Sequence, residues 1–269
     1  MILSDIEQSI KRKIETIGVP LKEWDVQINY GIKTGCNDAF IITSEKRDEI
    51  LSNCIDQAER DRTTELIRPI LRGRDIKKYS YDWADLWLIN THNGVKESHP
   101  PVNVEDYPTL KNHLNQYWDK ISKRDDQGIT PYNLRNCAYM DDFNKPKIIW
   151  KRVGSILRFS YDNKGILGLD STCFATGDKI AYLCCVLNSP MGHFLLKDAP
   201  KTGTGDLLIS VQAVEPIKIP QVQDSTLFVS FLQQYLEGDT NIENKINSTI
   251  YGIFGLSTKE IEYIEQHYC

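Results

Sequence analysis

The residues that could carry out acid–base or metal chemistry are scattered along this chain. No His-Glu-x-x-His pattern occurs, and no histidine–cysteine pair has the spacing of metal ligands. The five histidines are His92, His99, His113, His193 and His267. A Gly-x-Ser-x-Gly elbow and a Walker loop are also missing. The 203–205 segment (GTG) lacks the third glycine of a dinucleotide site, so we interpret it as a flexible loop whose amides could face a phosphate. We therefore expect no metal and no cofactor in this chain.

Two further reactions need signatures that the sequence lacks. A metal-dependent nuclease would use Pro-Asp followed by Glu-x-Lys or Asp-x-Lys. No Pro-Asp dipeptide is present, and residues 75–77 (DIK) and 243–245 (ENK) match only the second half. A methyltransferase that extrudes adenine would need an Asn-Pro-Pro-Tyr type of loop and a glycine-rich methyl-donor site, and neither occurs. The sequence predicts no catalytic residue.

Basic residues are concentrated in two short runs. Residues 145–158 hold five basic residues and no acid, and residues 68–78 hold five basic residues and only Asp75. The net charge of −5 comes from residues 221–269, which hold seven acids against two lysines. Local clusters can neutralise phosphates even in an acidic chain. A charged run also fits a solvated face, so composition alone leaves nucleic-acid binding open.

The composition is that of a globular protein that buries a core. The chain has 269 residues, of which 41% are hydrophobic and 26% charged. No apolar run is long enough to cross a bilayer, and the first residues lack the pattern of a signal peptide. Seven cysteines without a Cys-x-x-Cys pair fit reduced thiols better than a disulfide framework. These features predict a cytoplasmic protein with no membrane partner.

The hydrophobic pattern divides the chain into three regions. Residues 1–20 contain a capping box at Ser4 and isoleucines at helical spacing, and they predict a linker helix. Residues 21–222 mix short apolar runs, typical of strands, with helical stripes, one of which places Trp118 in the core. Residues 223–269 show successive helical stripes. The pattern predicts an α+β fold with a mixed sheet and a C-terminal helical tail.

A series of short phrases follows in order along the chain. They are residues 31–42 (GIKTGCNDAFII), 67–76 (IRPILRGRDI), 107–114 (YPTLKNHL), 143–149 (FNKPKII), 187–190 (LNSP), 217–220 (IKIP) and 250–257 (IYGIFGLS). Any one phrase is weak, but the ordered set resembles the TaqI-like C-terminal specificity domain of type II and type IIG restriction-modification enzymes. The resemblance covers nearly the whole chain, from about residue 25 to residue 267.

The resemblance implies a division of labour. In such enzymes a preceding domain methylates adenine N6 with S-adenosylmethionine, and some members add a nuclease, for which Mg²⁺ would serve. The domain that resembles this chain grips double-stranded DNA and chooses the site. Residues 21–222 are then expected to be the target-recognition domain. Because catalytic motifs are missing, we expect a segment of a longer methyltransferase or nuclease, rather than a separate specificity subunit.

A domain of this kind uses Lys and Arg for phosphates and polar side chains at loop tips for base edges. We expect DNA contacts from Lys33, Thr34, Asn37, Arg72, Arg74, Lys77, Lys78, Lys151, Arg152, Lys201, Thr202 and Thr204. Residues 31–40 also fit a structural turn between strands. Residues 73–75 favour a tight turn with a local Arg–Asp pair, with DNA contact second.

Two alternatives belong to other classes. The chain could be a protein–protein interaction module whose acidic tail docks a catalytic methyltransferase partner. DNA binding through phosphates should weaken steeply with salt, whereas a packed apolar interface should change little. A free-standing nuclease, the weakest reading, would require Mg²⁺-dependent cleavage that Asp75→Ala alters.

Overall fold

The computed structural model of this chain describes residues 4–95 and 99–268. The first three residues of the predicted linker helix and the last residue of the predicted tail lie outside the described residues. The strands are β1 (Gly18–Pro20), β2 (Val26–Tyr30), β3 (Ile41–Thr43), β4 (Ile67–Leu71), β5 (Leu86–Ile89), β6 (Lys147–Lys151), β7 (Val153–Gly154), β8 (Phe159–Asp162), β9 (Leu167–Gly168), β10 (Thr172–Gly177), β11 (Leu207–Leu208) and β12 (Lys218–Pro220). The helices are α1 (Asp5–Ile17), α2 (Asn37–Phe40), α3 (Ser44–Ser52), α4 (Gln57–Leu66), α5 (Pro108–Asn115), α6 (Trp118–Ile121), α7 (Ile180–Asn188), α8 (Pro190–Leu195), α9 (Val211–Val214), α10 (Thr226–Leu236), α11 (Ile242–Ile253) and α12 (Thr258–Tyr268). The α+β prediction is confirmed.

A central antiparallel sheet has the strand order β2-β10-β6-β8. Successive side chains of a strand point to opposite faces. In β6, Ile148 and Trp150 pack in one hydrophobic core, whereas Ile149 packs in the other. In β10, Cys173 and Phe174 divide in the same way. Because apolar side chains leave both faces, this sheet lies between two cores.

The second four-stranded sheet has the order β3-β5-β4-β9 and supports the core that contains Ile149. Its β4–β9 pair is parallel and the others are antiparallel, so the sheet is mixed, as predicted. The register pairs Ile70 with Leu167 and so brings β9 beside the chain that enters the 72–75 turn. This sheet therefore positions two of the loops that form the candidate site.

The other core is mainly helical. All nine residues of α7 are buried, which explains why its sequence is apolar all round. The tail helices α10 and α11 pack against α7, and α12 packs against α8. Helix α1 begins with the capping box at Ser4 and packs against α12 and β12. The first and last described helices are therefore neighbours.

The expectation that Trp118 lies in the core is wrong. The predicted continuous stripe is interrupted, because α5 ends at Asn115 and α6 starts at Trp118. The break rotates Trp118 out of the stripe, and 43% of the residue is exposed. Its ring lies beside Tyr132, with 5.3 Å between the ring centres.

Among the described residues, no helix has the length and apolar character needed to span a membrane. The six cysteines within the same residues are all free thiols, and Cys173, Cys184 and Cys185 are buried.

Candidate nucleic-acid interface

Two clefts open on either side of the end of β6. The first, the Arg152 cleft, has a volume of about 520 Å³, and its polar and charged lining includes Tyr30, Lys33, Arg135, Asn136, Arg152 and Asp170. The second, the Lys151 cleft, has a volume of about 150 Å³ and is lined by Gly73, Arg74, Ile76, Lys151, Gly154, Ser155, Ile156 and Arg158. Lys151, the last residue of β6, lines one cleft, and Arg152, in the bend that follows, lines the other. The two clefts are therefore neighbouring parts of one surface.

The turn between β9 and β10 holds this surface together. Its Ser171 carbonyl accepts a hydrogen bond from the Arg152 amide at 3.0 Å, and the Ser171 hydroxyl accepts one from the Gly73 amide at 3.0 Å. The Asp170 amide donates to the carbonyl of Ile32 at 2.9 Å. These hydrogen bonds fix three separate segments against one turn, so the fold itself sets the positions of the segments relative to one another.

The loop after β2 packs tightly on the same turn. A Cβ atom on Gly31 would lie 2.0 Å from the Leu169 carbonyl oxygen, so only glycine fits there. Beyond it, Lys33 Nζ lies 2.8 Å from Asp126 Oδ2, and Arg135 Nη1 lies 3.2 Å from Asp126 Oδ1. The hydrogen bond from Lys33 lowers the pKa of Asp126. This pairing joins the 31–37 loop to the 126–135 segment across the rim of the Arg152 cleft.

Arg124 anchors the loop from below. Its guanidinium donates to the carbonyls of Thr34, Pro131 and Asn133, the last two at 3.1 and 2.5 Å, and lies 4.4 Å from the ring centre of Phe40. Only 7% of Arg124 is exposed, and this burial lowers its pKa. A planar fork that satisfies three carbonyls fixes the loop more tightly than a lysine could.

The 73–75 segment forms a 3₁₀ turn beside the Lys151 cleft. The predicted Arg–Asp pair exists, but its cation is Arg72: the guanidinium binds both oxygens of the buried Asp75 carboxylate, at 3.0 and 2.7 Å. The pKa of Arg72 is raised by this contact. Arg74 is exposed and lines the cleft. Arg72 therefore stabilises the turn itself, whereas Arg74 is exposed to the Lys151 cleft.

A short hairpin at residues 201–207 stands beside the Lys151 cleft, which Gly154 of β7 lines. Its β11 pairs with β7, the two residues that directly follow Arg152. The Thr202 amide donates to the Asp206 carbonyl at 2.8 Å, and the Thr202 and Thr204 hydroxyls lie 2.8 Å apart. A Cβ atom on Gly203 would meet nothing within 4 Å. The hairpin tip is thus open to an approaching molecule.

The structure brings seven of the twelve predicted residues together around the end of β6: Lys33, Arg74, Lys151, Arg152, Lys201, Thr202 and Thr204. Asn37 is exposed at the start of α2 but lines neither cleft, and its side-chain oxygen accepts the Thr34 hydroxyl hydrogen at 2.6 Å. DNA contact by these residues stays a prediction.

Four predicted residues serve contacts within the fold. Thr34 is only 1% exposed because its loop turns the hydroxyl inward. Arg72 is committed to Asp75, and Lys77 lies 3.2 Å from Asp82. Lys78 turns towards the tail, with its Nζ 2.6 Å from Glu243 Oε2 of α11. The structure places none of the four in either cleft, and DNA contact by them stays a prediction.

Sequence reasoning missed four cleft residues: Arg135, Asn136, Arg158 and Asp170. Arg158 belongs to the acid-free run at 145–158 and could have been found from it. The other three stand in ordinary loop sequence and reach the Arg152 cleft only through the fold. Lys147, from the same run as Arg158, is fully buried. The charge run therefore marked the right strand, but it did not separate the cleft residues Lys151, Arg152 and Arg158 from the buried Lys147.

Within the described residues, no group of His, Cys, Asp or Glu has a geometry that could hold a metal ion. The His92 and His99 rings lie 6.3 Å apart, and His99 Nε2 lies 3.5 Å from Asp141 Oδ1. These residues lie in a separate cleft with Arg62 and Arg68.

Comparison with known proteins identifies the family. The model of the TaqI-like C-terminal specificity domain matches residues 68–213, more than half of the chain. In fold, the chain is similar to the type IIL restriction-modification enzyme MmeI, solved in complex with DNA, with a TM-score of 0.64 and 10% identity over 94% of this chain and 37% of that one. It is also similar to the type IIG restriction endonuclease BpuSI, with a TM-score of 0.59 and 13% identity over 98% of this chain and 32% of that one.

At these identities, the two structures show a shared fold, and the chain spans about a third of the length of each enzyme. No curated protein sequence matches it. The family match confirms the resemblance carried by the ordered phrases: this chain belongs to the TaqI-like C-terminal specificity domain family.

Proposed function

We propose that this chain reads a short sequence in double-stranded DNA for a restriction-modification enzyme. It would direct adenine-N6 methylation, cleavage or both, carried out by a separate catalytic domain. The observation that carries the proposal is the convergence of unpaired cations on the end of β6. Five cations lie there without an ion pair to any other described residue: Arg74, Lys151, Arg152, Arg158 and Lys201.

The arrangement favours an anionic ligand on physical grounds. Neighbouring cations without acidic partners repel one another, which disfavours their convergence while no anion is bound. Duplex DNA relieves that repulsion, because its phosphates replace the missing acids and release condensed counterions. The open hairpin at 201–207 and the two clefts then offer polar groups to base edges next to the backbone contacts.

The catalytic steps would belong to another part of the enzyme. The chain matches about a third of MmeI and of BpuSI, which supports a division into a reading part and a catalytic part. S-adenosylmethionine, and Mg²⁺ where a nuclease is present, would bind in that catalytic part, and the enzyme would act in the cytoplasm. On this view the chain itself transfers no group.

The test is selection from a random duplex pool with the purified chain at low salt, followed by sequencing of the retained DNA. We expect one short motif, with retention reduced by Lys33→Ala or Arg152→Ala. Lys259→Ala is the control, because Lys259 is exposed on the tail helix α12 and lines neither cleft. Retention that depends on salt but selects no motif would contradict sequence reading by this chain alone and would mean that specificity needs the catalytic partner. No retention at any salt would contradict autonomous DNA reading.

A second function, docking of the catalytic partner, is favoured by a groove on another face. The groove runs between α1 and the α8–α9 region, has a volume of about 370 Å³, and combines the buried Ile14, Phe194 and Ile217 with the charged residues Glu7, Lys11, Glu15, Lys197, Asp198 and Lys218 in its lining. The two functions are compatible, because a specificity domain must also bind its partner. Salt separates them: DNA retention should fall by about tenfold to a thousandfold across the usual range, whereas apolar docking should change little.

A further inference from the structure

We infer that Arg152 and Asp170 read the two bases of one G·C pair, an assignment that rests on the proposed function. Both side chains line the Arg152 cleft. Each is free of ion pairs within the described part of the chain. By contrast, Lys33 and Arg135 on the same rim are both paired with Asp126. The cleft therefore presents one cation and one acid that the fold leaves uncommitted.

The backbone holds these two residues rigidly and close together. The register of β6 and β10 pairs Lys151 with Thr172. At the next position of this antiparallel pair, the Arg152 amide donates to the Ser171 carbonyl at 3.0 Å. Asp170 directly precedes Ser171. The Arg152 carbonyl also accepts the amide hydrogen of Ile209 at 2.8 Å. Readout groups on such fixed backbone can be held in one geometry before the ligand arrives.

The chemistry of Arg152 suits guanine. Its Nε is buried without a hydrogen-bond partner among the described residues, so contact with a base falls to the rest of the side chain, which lines the cleft. Because no acid pairs with Arg152 among the described residues, a ligand that supplies acceptors can take up these charged donors. Guanine offers O6 and N7 side by side in the major groove, matching the two-donor fork of arginine.

The chemistry of Asp170 indicates a base rather than a phosphate. A carboxylate in a cleft that faces DNA repels the backbone, so it weakens non-specific binding. The DNA atoms that favour a carboxylate are the amino hydrogens of bases, of which cytosine N4 is the usual partner of Asp and Glu in the major groove. Cytosine is paired with the guanine that Arg152 selects, so both residues can address one base pair.

The experiment compares the duplexes retained from a random pool by the wild-type chain and by four variants. Arg152→Ala should keep the rest of the motif but lose the preference for G at one position, by about tenfold to a hundredfold. Arg152→Lys keeps the charge without the fork, so it should retain overall affinity and lose the same preference. Asp170→Ala should reduce discrimination at that same position while strengthening non-specific retention. Lys151→Ala, the matched control on the neighbouring cleft, should weaken all duplexes equally and leave the motif unchanged.

The outcomes separate the two proposals. If Arg152→Ala weakens every duplex equally, as Lys151→Ala should, then Arg152 is a phosphate contact, and the inference is wrong while the proposed function stands. The same holds if Arg152→Ala and Asp170→Ala alter different positions of the motif. If the wild-type chain retains DNA without any motif, base reading by Arg152 is overturned. If it retains no DNA, the proposed function fails and the inference with it. Circular dichroism and thermal unfolding of each variant show that its fold is intact.

Discussion

Lys147 Nζ lies 2.5 Å from Asp162 Oδ2, and neither side chain is exposed to solvent. The two residues are directly opposite each other in the register of β6 and β8. Lys147 also donates to the Phe143 carbonyl at 2.6 Å, and Asp162 accepts the Tyr81 hydroxyl hydrogen at 2.9 Å. This network fixes the edge strand β8 to the start of β6, the strand whose other end carries Lys151.

Removing one member of this pair should destabilise the fold strongly. Lys147→Met leaves the Asp162 carboxylate buried without its cation, which costs about 3–5 kcal/mol in the free energy of unfolding. Lys145→Met is the matched control, because the Lys145 side chain is 60% exposed and pairs with Asp142 on the surface, where such pairs contribute about 1 kcal/mol or less. Denaturant titration measures both. Equal losses would contradict a structural role for the buried pair.

Lys147 also shows which features of this region the sequence alone can predict and which it cannot. The acid-free run at 145–158 left phosphate binding open, and the short apolar run within it indicated strand β6. Neither reveals that Lys147 faces a carboxylate 15 residues away, because that contact depends on the register of two strands. Local patterns therefore predicted the strand, and only the tertiary structure shows which of its cations are free.

In the loop at 31–40 as well, the sequence does not show which side chains face the cleft and which face the protein interior. The structural role that the sequence allowed describes part of the loop, whereas DNA contact by the rest stays a prediction. Thr34 faces inward to Arg124, whereas Lys33 lines the Arg152 cleft. Arg135, which joins Lys33 on Asp126, has no local signal at all, since its position depends on the 126–135 segment folding back on the loop.

Cations of the Lys151 cleft should govern the salt dependence of DNA binding. Each phosphate contact contributes about 0.9 to the slope of log K against log salt concentration. We expect Lys151→Ala and Arg158→Ala each to reduce the magnitude of that slope by about 1, measured by fluorescence anisotropy of a labelled duplex from low to moderate salt. Arg60→Ala, an exposed cation on α4 outside both clefts, should leave the slope unchanged. Unaltered slopes in the first two variants would place the DNA elsewhere.

Arg124 should act as a positioning residue for the 31–37 loop. Arg124→Met removes the donor to three carbonyls, including those of Thr34 and Asn133, and each unsatisfied buried group costs about 1–3 kcal/mol. We expect lower stability together with faster amide hydrogen exchange in the loop and weaker DNA retention. Lys123→Met serves for comparison, since Lys123 is an exposed cation next to Arg124 in the chain. Unchanged exchange rates in Arg124→Met would show that other contacts hold the loop.

Gly31 should be irreplaceable where Gly203 is not. In Gly31→Ala, the new Cβ would lie 2.0 Å from the Leu169 carbonyl oxygen, so the loop or the turn must move. We expect a lower unfolding midpoint and weaker DNA retention. Gly203→Ala adds the same methyl group where nothing lies within 4 Å, and it should match the wild type in stability. Loss of stability in both variants, or in neither, would contradict this packing.

Acid should weaken the contact between the first and last helices. Burial acts to raise the pKa of Glu260, but hydrogen bonds from Lys13, Ser257 and Ser9 overcome it and lower the pKa from an ordinary value of 4.5 to about 2. A carboxyl that is more acidic in the folded state than in the unfolded one stabilises the fold above pH 4.5. That contribution is lost as the pH falls from about 4.5 to about 2.

Glu260→Gln should therefore unfold at a lower temperature than the wild type at neutral pH, and the difference should shrink towards zero near pH 2. Thermal unfolding followed by circular dichroism between pH 2 and 7 measures it. Glu262→Gln is the control, because Glu262 is exposed on the same helix and its loss should matter little at any pH. A difference between Glu260→Gln and the wild type that stays constant down to pH 2 would show that the glutamate stabilises this contact through its shape and hydrogen bonds rather than through its charge.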